Sequence, residues 1–226
     1  MLQAFPETLG RVLERIETAA LRSGRGRNDI TLVAVTKTVP LERVLPFLHG
    51  GVRDFGENRV QEALSKFQGS EQMPKAHSIF HLIGQLQTNK AKKAVEFFDM
   101  IQSVDRWELA ETLNVQAKRI QKKLNCLVEV KISSEASKSG VHPDQLNVFL
   151  SRLKELTSLS VRGLMGIAPQ EATGDTARPF FSRLRKLADD ASLPVVSMGM
   201  SGDFEAAIAE GSTMVRIGSA LFGSRA

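Results

Sequence analysis

Leu9, Val12, Leu13, Ile16, Ala19 and Ala20 recur at the three- and four-residue spacing of one helix face, and Glu7 and Arg11 form an i,i+4 pair on it. The basic, glycine-bearing run RSGRGRND ends that pattern. In LVAVTKTVP the apolar residues then run without a break and stop at Lys37. The run predicts a buried strand over 31–36. After Pro40, LERVLPFLHGG has helical spacing, with Pro46 as an expected interruption and Gly50-Gly51 as the stop signal. The same alternation continues along the chain. Short apolar runs occupy 52–55, 78–83, 100–104, 127–132, 161–165, 195–198 and 214–217. Amphipathic segments at 59–67, 90–98, 106–123, 143–156, 176–191 and 204–210 separate them.

Strands that alternate with helices pair in parallel, because each crossover helix returns the chain to the same sheet end. Eight such units are expected to close a (β/α)8 TIM barrel, an α/β fold, with an extra N-terminal helix. An open doubly wound sheet is the structural alternative. It usually has fewer strands and often a glycine-rich first turn, whereas G-x-G-x-x-G and the Walker A lysine motif are both missing here. No linker divides the chain, so residues 1–226 are expected to form a single domain. The polar stretch PQEATGDTARP at 169–179 is the longest connection and an expected mobile rim.

Composition adds bounds. The 226 residues are 42% hydrophobic and 24% charged, ordinary values for a globular protein with a sizeable core. One cysteine, Cys126, excludes an internal disulfide. No apolar run approaches the ~20 residues of a membrane span, and the charged, periodic N-terminus is unlike a signal peptide. The expected location is the cytoplasm, and without an exposed heptad the expected state is a monomer. A net charge of +5 raises the question of nucleic acid. Its densest basic groups, Lys90/Lys92/Lys93 and Lys118/Arg119/Lys122/Lys123, fall on solvated helix faces without a nucleic-acid motif. Four scattered histidines and one cysteine show no metal-ligand spacing.

A barrel of this kind carries its chemistry at the C-terminal strand ends, and phosphates often sit after strands seven and eight. On that rim the sequence places Lys37, Glu57 and Asn58, His81, Lys138, Met165, and the turns Ser201-Gly202 and Gly218-Ser219. Two readings stay open for several of them. Asn58 is either a site residue or a helix N-cap, and His81 either lines a pocket or is a satisfied strand histidine. Lys138 reads as a surface loop lysine, and Met165, Met198 and Met200 as core fillers. Ser201 or Asp203 either cap the next helix or, with the Gly218-Ser219 turn, present free amides and hydroxyls to an anion.

LVAVTKTVP, FGENRVQEA, HLIGQLQTNKAK, IQSVDR, VEVKISSEASKSGV, RGLMGIAP and SMGMSGDFEAAIAEGSTMVRIGSALFG, in this order over about residues 31–223, resemble the pyridoxal phosphate homeostasis protein family. That family has the alanine racemase N-terminal barrel fold. The resemblance implies pyridoxal 5'-phosphate as cofactor, with Lys37 forming the Schiff base. It implies that Ser201, Gly202, Gly218 and Ser219 bind the phosphate, with Ile217 beside them. Arg216 would face the pyridine nitrogen, Asn58 would lie near the ring, and Met165 and His81 would line the pocket.

An arginine stays protonated and can only donate to the ring nitrogen, so this site would stabilise substrate carbanions less than an acidic partner does. Alanine racemase takes its second base, a tyrosine, from an additional domain; this chain is expected to lack that domain, and it has no tyrosine. The expected function is to hold pyridoxal phosphate within the cell and deliver it to apo-enzymes. The rival is a small amino-acid racemase using Lys37 with His81 or water as second base. A third possibility is a sugar-phosphate enzyme using Lys37 without a cofactor.

Overall fold

The computed structural model describes residues 6–73, 77–133 and 139–223, so Lys138 lies outside the described residues. The chain begins with α1 (Glu7–Arg22), which buries Leu9, Val12, Ile16, Ala19 and Ala20. Eight strands follow: β1 (Thr31–Val35), β2 (Asp54–Glu57), β3 (Ile79–Leu82), β4 (Met100–Val104), β5 (Leu124–Glu129), β6 (Leu159–Met165), β7 (Val195–Ser197) and β8 (Met214–Ile217). Between and after them lie α2 (Leu41–His49), α3 (Val60–Phe67), α4 (Ala91–Phe97), α5 (Trp107–Arg119), α6 (Leu146–Leu153), α7 (Arg178–Asp190), α8 (Phe204–Ala209) and α9 (Ser219–Phe222).

The strands pair in chain order, and the sheet closes into a barrel. Its closing seam is parallel, from Thr31 against Met214 to Ala34 against Ile217. That seam rules out the open doubly wound sheet. The fold is a (β/α)8 barrel with an extra N-terminal helix.

Several boundaries differ from the periodicity; β5, expected over 127–132, lies at Leu124–Glu129, and α5 ends at Arg119. β2 starts at Asp54, because the Val52 amide donates to Phe47 O and closes α2 (3.0 Å). Helix α2 continues through Pro46, held by its buried face of Val44, Leu45, Phe47 and Leu48. The 143–156 segment starts as a 3-10 turn, Pro143–Gln145, before α6.

Successive strand side chains alternate between the helix layer and the barrel interior. Leu32, Ala34, Phe55, Phe80, Leu82 and Ile101 join the helix-facing core. Phe80 anchors it, with ring centroids 5.0 Å from Phe67 and 4.9 Å from Phe97. The opposite positions fill the interior. Val33, Val35, Leu127, Met165 and Met214 are buried there without belonging to the helix-facing core. Interspersed among them are buried polar side chains from the same alternation: His81, Gln102, Ser197 and Arg216. Among the described residues, no helix is long and apolar enough to cross a membrane, and no group of three His, Cys, Asp or Glu side chains could hold a metal ion.

Candidate cofactor site at the barrel mouth

Lys37 follows β1 by two residues, and the ladder continues to it through the Thr36 amide, which donates to Gly56 O (2.9 Å). Val33 and Val35 occupy the interior positions of β1, so the two-residue period carries Lys37 to the mouth on the same side. It is half-buried.

The backbone around Lys37 is clamped on both sides. Lys66 Nζ of α3 donates to Thr36 O (2.6 Å), and the Thr38 amide donates to Glu62 Oε1. Thr38 has φ +62°, a left-handed value that a β-branched residue adopts only when its surroundings hold it there. Lys66 is itself anchored to Glu57 Oε1 (2.7 Å), which also accepts from Thr36 Oγ1 (2.7 Å). Glu57 points outward against α3, fully buried, with Oε2 unpartnered. Burial pushes its carboxyl above the ordinary range, although the Lys66 and Thr36 bonds oppose this.

Across the mouth, two turns meet. The Ser201 hydroxyl accepts from the amides of Gly218 (3.3 Å) and Ala220 (3.2 Å). Two backbone donors from the turn after β8 thus converge on one oxygen supplied by the turn after β7, an arrangement that suits a phosphate oxygen equally well. The β7 turn is compact because Gly199 (φ +92°) lies against α8, where a Cβ would stand 2.5 Å from the Ala207 Cβ. The Met200 amide donates to Asp203 Oδ1 (2.5 Å), and the Gly174 amide of the 169–179 connection donates to Gly202 O (3.2 Å). That connection therefore carries a 3-10 turn, Gly174–Ala177, tied to the site's rim.

Beneath these turns lies Arg216, only 3% exposed. Its Nη1 donates to Ser197 Oγ (2.7 Å) and its Nη2 to Gly166 O (3.0 Å). Burial lowers its pKa to about 10, while Glu129 and Asp203 act to raise it. It remains a cation at neutral pH. Glu129, at the end of β5, is buried and accepts from Ser139 Oγ (2.8 Å).

The alanine racemase N-terminal domain family model matches residues 9–226. A pyridoxal phosphate homeostasis protein of Aquifex aeolicus is 42% identical over 225 residues, covering 97% of each chain. One of Pseudomonas aeruginosa is 41% identical over 226 residues, covering 99% of this chain and 97% of its own. The chain belongs to the pyridoxal phosphate homeostasis protein family. PipY of Synechococcus elongatus PCC7942, solved with PLP bound, superposes with a TM-score of 0.81 at 39% identity, over 94% of this chain and all of that one. Alanine racemase of Clostridium difficile shares the fold at a TM-score of 0.68 and 17% identity, and this chain spans 56% of its length.

In this family member the sequence-derived residues fall into three groups. Lys37, Asn58, Met165, Ser201, Gly202, Gly218 and Ser219 lie at the mouth end, with Arg216 below them. Asn58 is not the helix cap, since Arg59 holds that position of α3. Instead its backbone is packed so closely on the next loop that a Cβ at Gly84 would stand 2.4 Å from Asn58 O. Ile217 turns its side chain into the helix-facing core, so only its backbone faces the turn. His81 is the third case. It is 0% exposed, with Nε2 2.9 Å from Asp54 Oδ1 and Nδ1 3.0 Å from Gln102 Nε2, inside the barrel and not on its rim. The satisfied strand histidine is therefore the reading that holds.

Sequence reasoning passed over Gln102, Ser197, Glu129, Lys66 and Glu62. A signal existed for the first two: each is a polar residue at an inward position of a strand in a closed barrel.

Proposed function

We propose that this protein binds pyridoxal 5'-phosphate at the barrel mouth, holds it covalently through Lys37, and serves as a reservoir of the cofactor. The observation that carries this reading is the convergence on one mouth of a clamped lysine, two amides aimed at a single oxygen, and a buried guanidinium. The 39% identical relative solved with PLP bound supports the choice of cofactor.

Pyridoxal phosphate, when bound, would supply an aldehyde reactive toward an amine. Lys37 would supply that amine from the end of the clamped turn after β1. Ser201, Gly202, Gly218 and Ser219 supply amides and hydroxyls for the phosphate. Arg216 would donate to the pyridine nitrogen without protonating it, because guanidinium releases its proton only far above neutral pH. Asn58 and Met165 would border the ring.

Custody of the cofactor fits these residues better than racemisation. Two-base inversion needs an acid or base on each face of the substrate. The 226 residues include no tyrosine, and His81 is enclosed with both ring nitrogens engaged. Delivery to apo-enzymes completes the proposal. It requires the loaded protein to activate an apo-enzyme faster than the cofactor's spontaneous release allows.

Purified protein incubated with pyridoxal phosphate is expected to gain an absorbance band at the edge of the visible range. Borohydride should then fix the cofactor's mass on the peptide containing Lys37. Lys37→Ala should lose both signals. A wild type that stays colourless with excess cofactor refutes the assignment, and rapid stereoinversion of an amino acid would restore the racemase reading.

A further inference from the structure

The interior of a (β/α)8 barrel is usually packed with branched apolar side chains. Here a file of polar side chains crosses it instead. Arg216 Nη1 donates to Ser197 Oγ (2.7 Å), and Ser197 Oγ donates to Gln102 Oε1 (2.7 Å). Gln102 Nε2 meets His81 Nδ1 (3.0 Å) and also donates to Met214 Sδ (3.2 Å). His81 Nε2 meets Asp54 Oδ1 (2.9 Å), at the N-terminal end of β2 and thus at the opposite end of the barrel. Five strands contribute one member each.

The Gln102 amide, with its oxygen toward Ser197 and its nitrogen toward His81 and Met214, sets the direction of the bonds. A guanidinium has no acceptor, so Ser197 must accept from Arg216 and spend its own proton on Gln102. The Gln102 oxygen is then occupied, and its amide group faces His81. Nδ1 of His81 must therefore accept, which leaves the ring proton on Nε2, aimed at a carboxylate oxygen. The file runs one way, from a buried cation to an anion, and each bond polarises the next.

We propose that this file positions Arg216 for the cofactor's ring nitrogen, making Ser197, Gln102 and His81 positioning residues of a site they do not touch. The inference rests on the cofactor reading above. Arg216 reaches the mouth on a long, flexible side chain, and burial alone does not choose its rotamer. Ser197 and Gly166 O together hold two of its nitrogens. Gln102, held in turn by His81, takes the hydroxyl's proton and so fixes the oxygen's lone pairs toward Arg216. Glu129 and Asp203 act on Arg216 through their charge and leave this geometry to the file.

Two measurements test it. Nitrogen NMR of the ligand-free wild type should show His81 protonated at Nε2 and bare at Nδ1; protonation at Nδ1 overturns the proposal whatever the cofactor does. Gln102→Leu should then weaken pyridoxal phosphate binding about tenfold, the order seen when an outer partner of a ligating side chain is removed. The same variant should shift the absorbance maximum of bound cofactor, a signal that a purely structural role would leave in place. If Gln102→Leu does not fold, Ser197→Ala removes the hydroxyl that joins Arg216 to Gln102 and carries the same expectation. Variants that bind with wild-type affinity and spectrum overturn the proposal alone, whereas a wild type that takes up no cofactor removes both readings.

Discussion

Glu129 ends β5 with its carboxyl buried beside the mouth. Burial pushes its pKa up, against the pull of Ser139 and Arg216. The folded protein therefore keeps a proton that the unfolded chain has already released in the ordinary carboxylate range. Its stabilising effect is complete below that range and is lost as pH rises through the higher folded value. Melting temperatures across this rise should fall less steeply in Glu129→Gln than in the wild type, and an identical slope would disprove the argument. Cys126 gives a simpler case, since burial pushes its thiol up to about 12. A thiolate-seeking reagent at neutral pH should leave it unmodified in the native protein and label it in denaturant. Both expectations depend on enclosure, which no residue type announces by itself.

At the level of elements, the turn after β1 is held by α3. Lys66 stands between the buried Glu57 and the carbonyl of Thr36, and Glu62 takes the Thr38 amide. Removing one partner of a buried ion pair leaves the other charge unpaired, at a cost of about 3–5 kcal/mol. Lys66→Met should therefore lose about that much in denaturant unfolding. Adding Glu57→Gln should recover part of it, because the stranded charge is gone; a purely additive double variant would show that the two do not interact. Lys37 should lose its fixed placement in the single variant as well, so cofactor uptake falls along with stability. The extent of α3 was legible in the spacing of 59–67, but its contact with the Lys37 turn was not. Helical periodicity states which face is apolar and says nothing about which loop a lysine on that helix will reach.

For the whole molecule, closure of the barrel is the decisive event. Between β6 and β7 the approach is so close that a Cβ on Gly163 would stand 1.8 Å from Val195 O. A backbone oxygen has no other rotamer to adopt, so Gly163→Ala must part the two strands. It should cost more than the ~1–3 kcal/mol usual for an overpacked core. Thermal unfolding, or a loss of folded protein on expression, would report it; an unchanged melting temperature would contradict the geometry.

The sequence by itself determined the alternation of eight strands with helices, the extra helix at the start, and the rim positions of Lys37, Ser201-Gly202 and Gly218-Ser219. Each of these follows from local spacing or turn chemistry, which a chain carries before it folds. Only the tertiary structure decided that His81 belongs to the interior, that Ile217 faces the helices, and that Asn58 is no cap. It alone joined Arg216 to Asp54 through residues from five strands far apart in sequence. Inward and outward positions gain their meaning only when β8 pairs with β1, since closure determines which polar side chains lose water and must find each other.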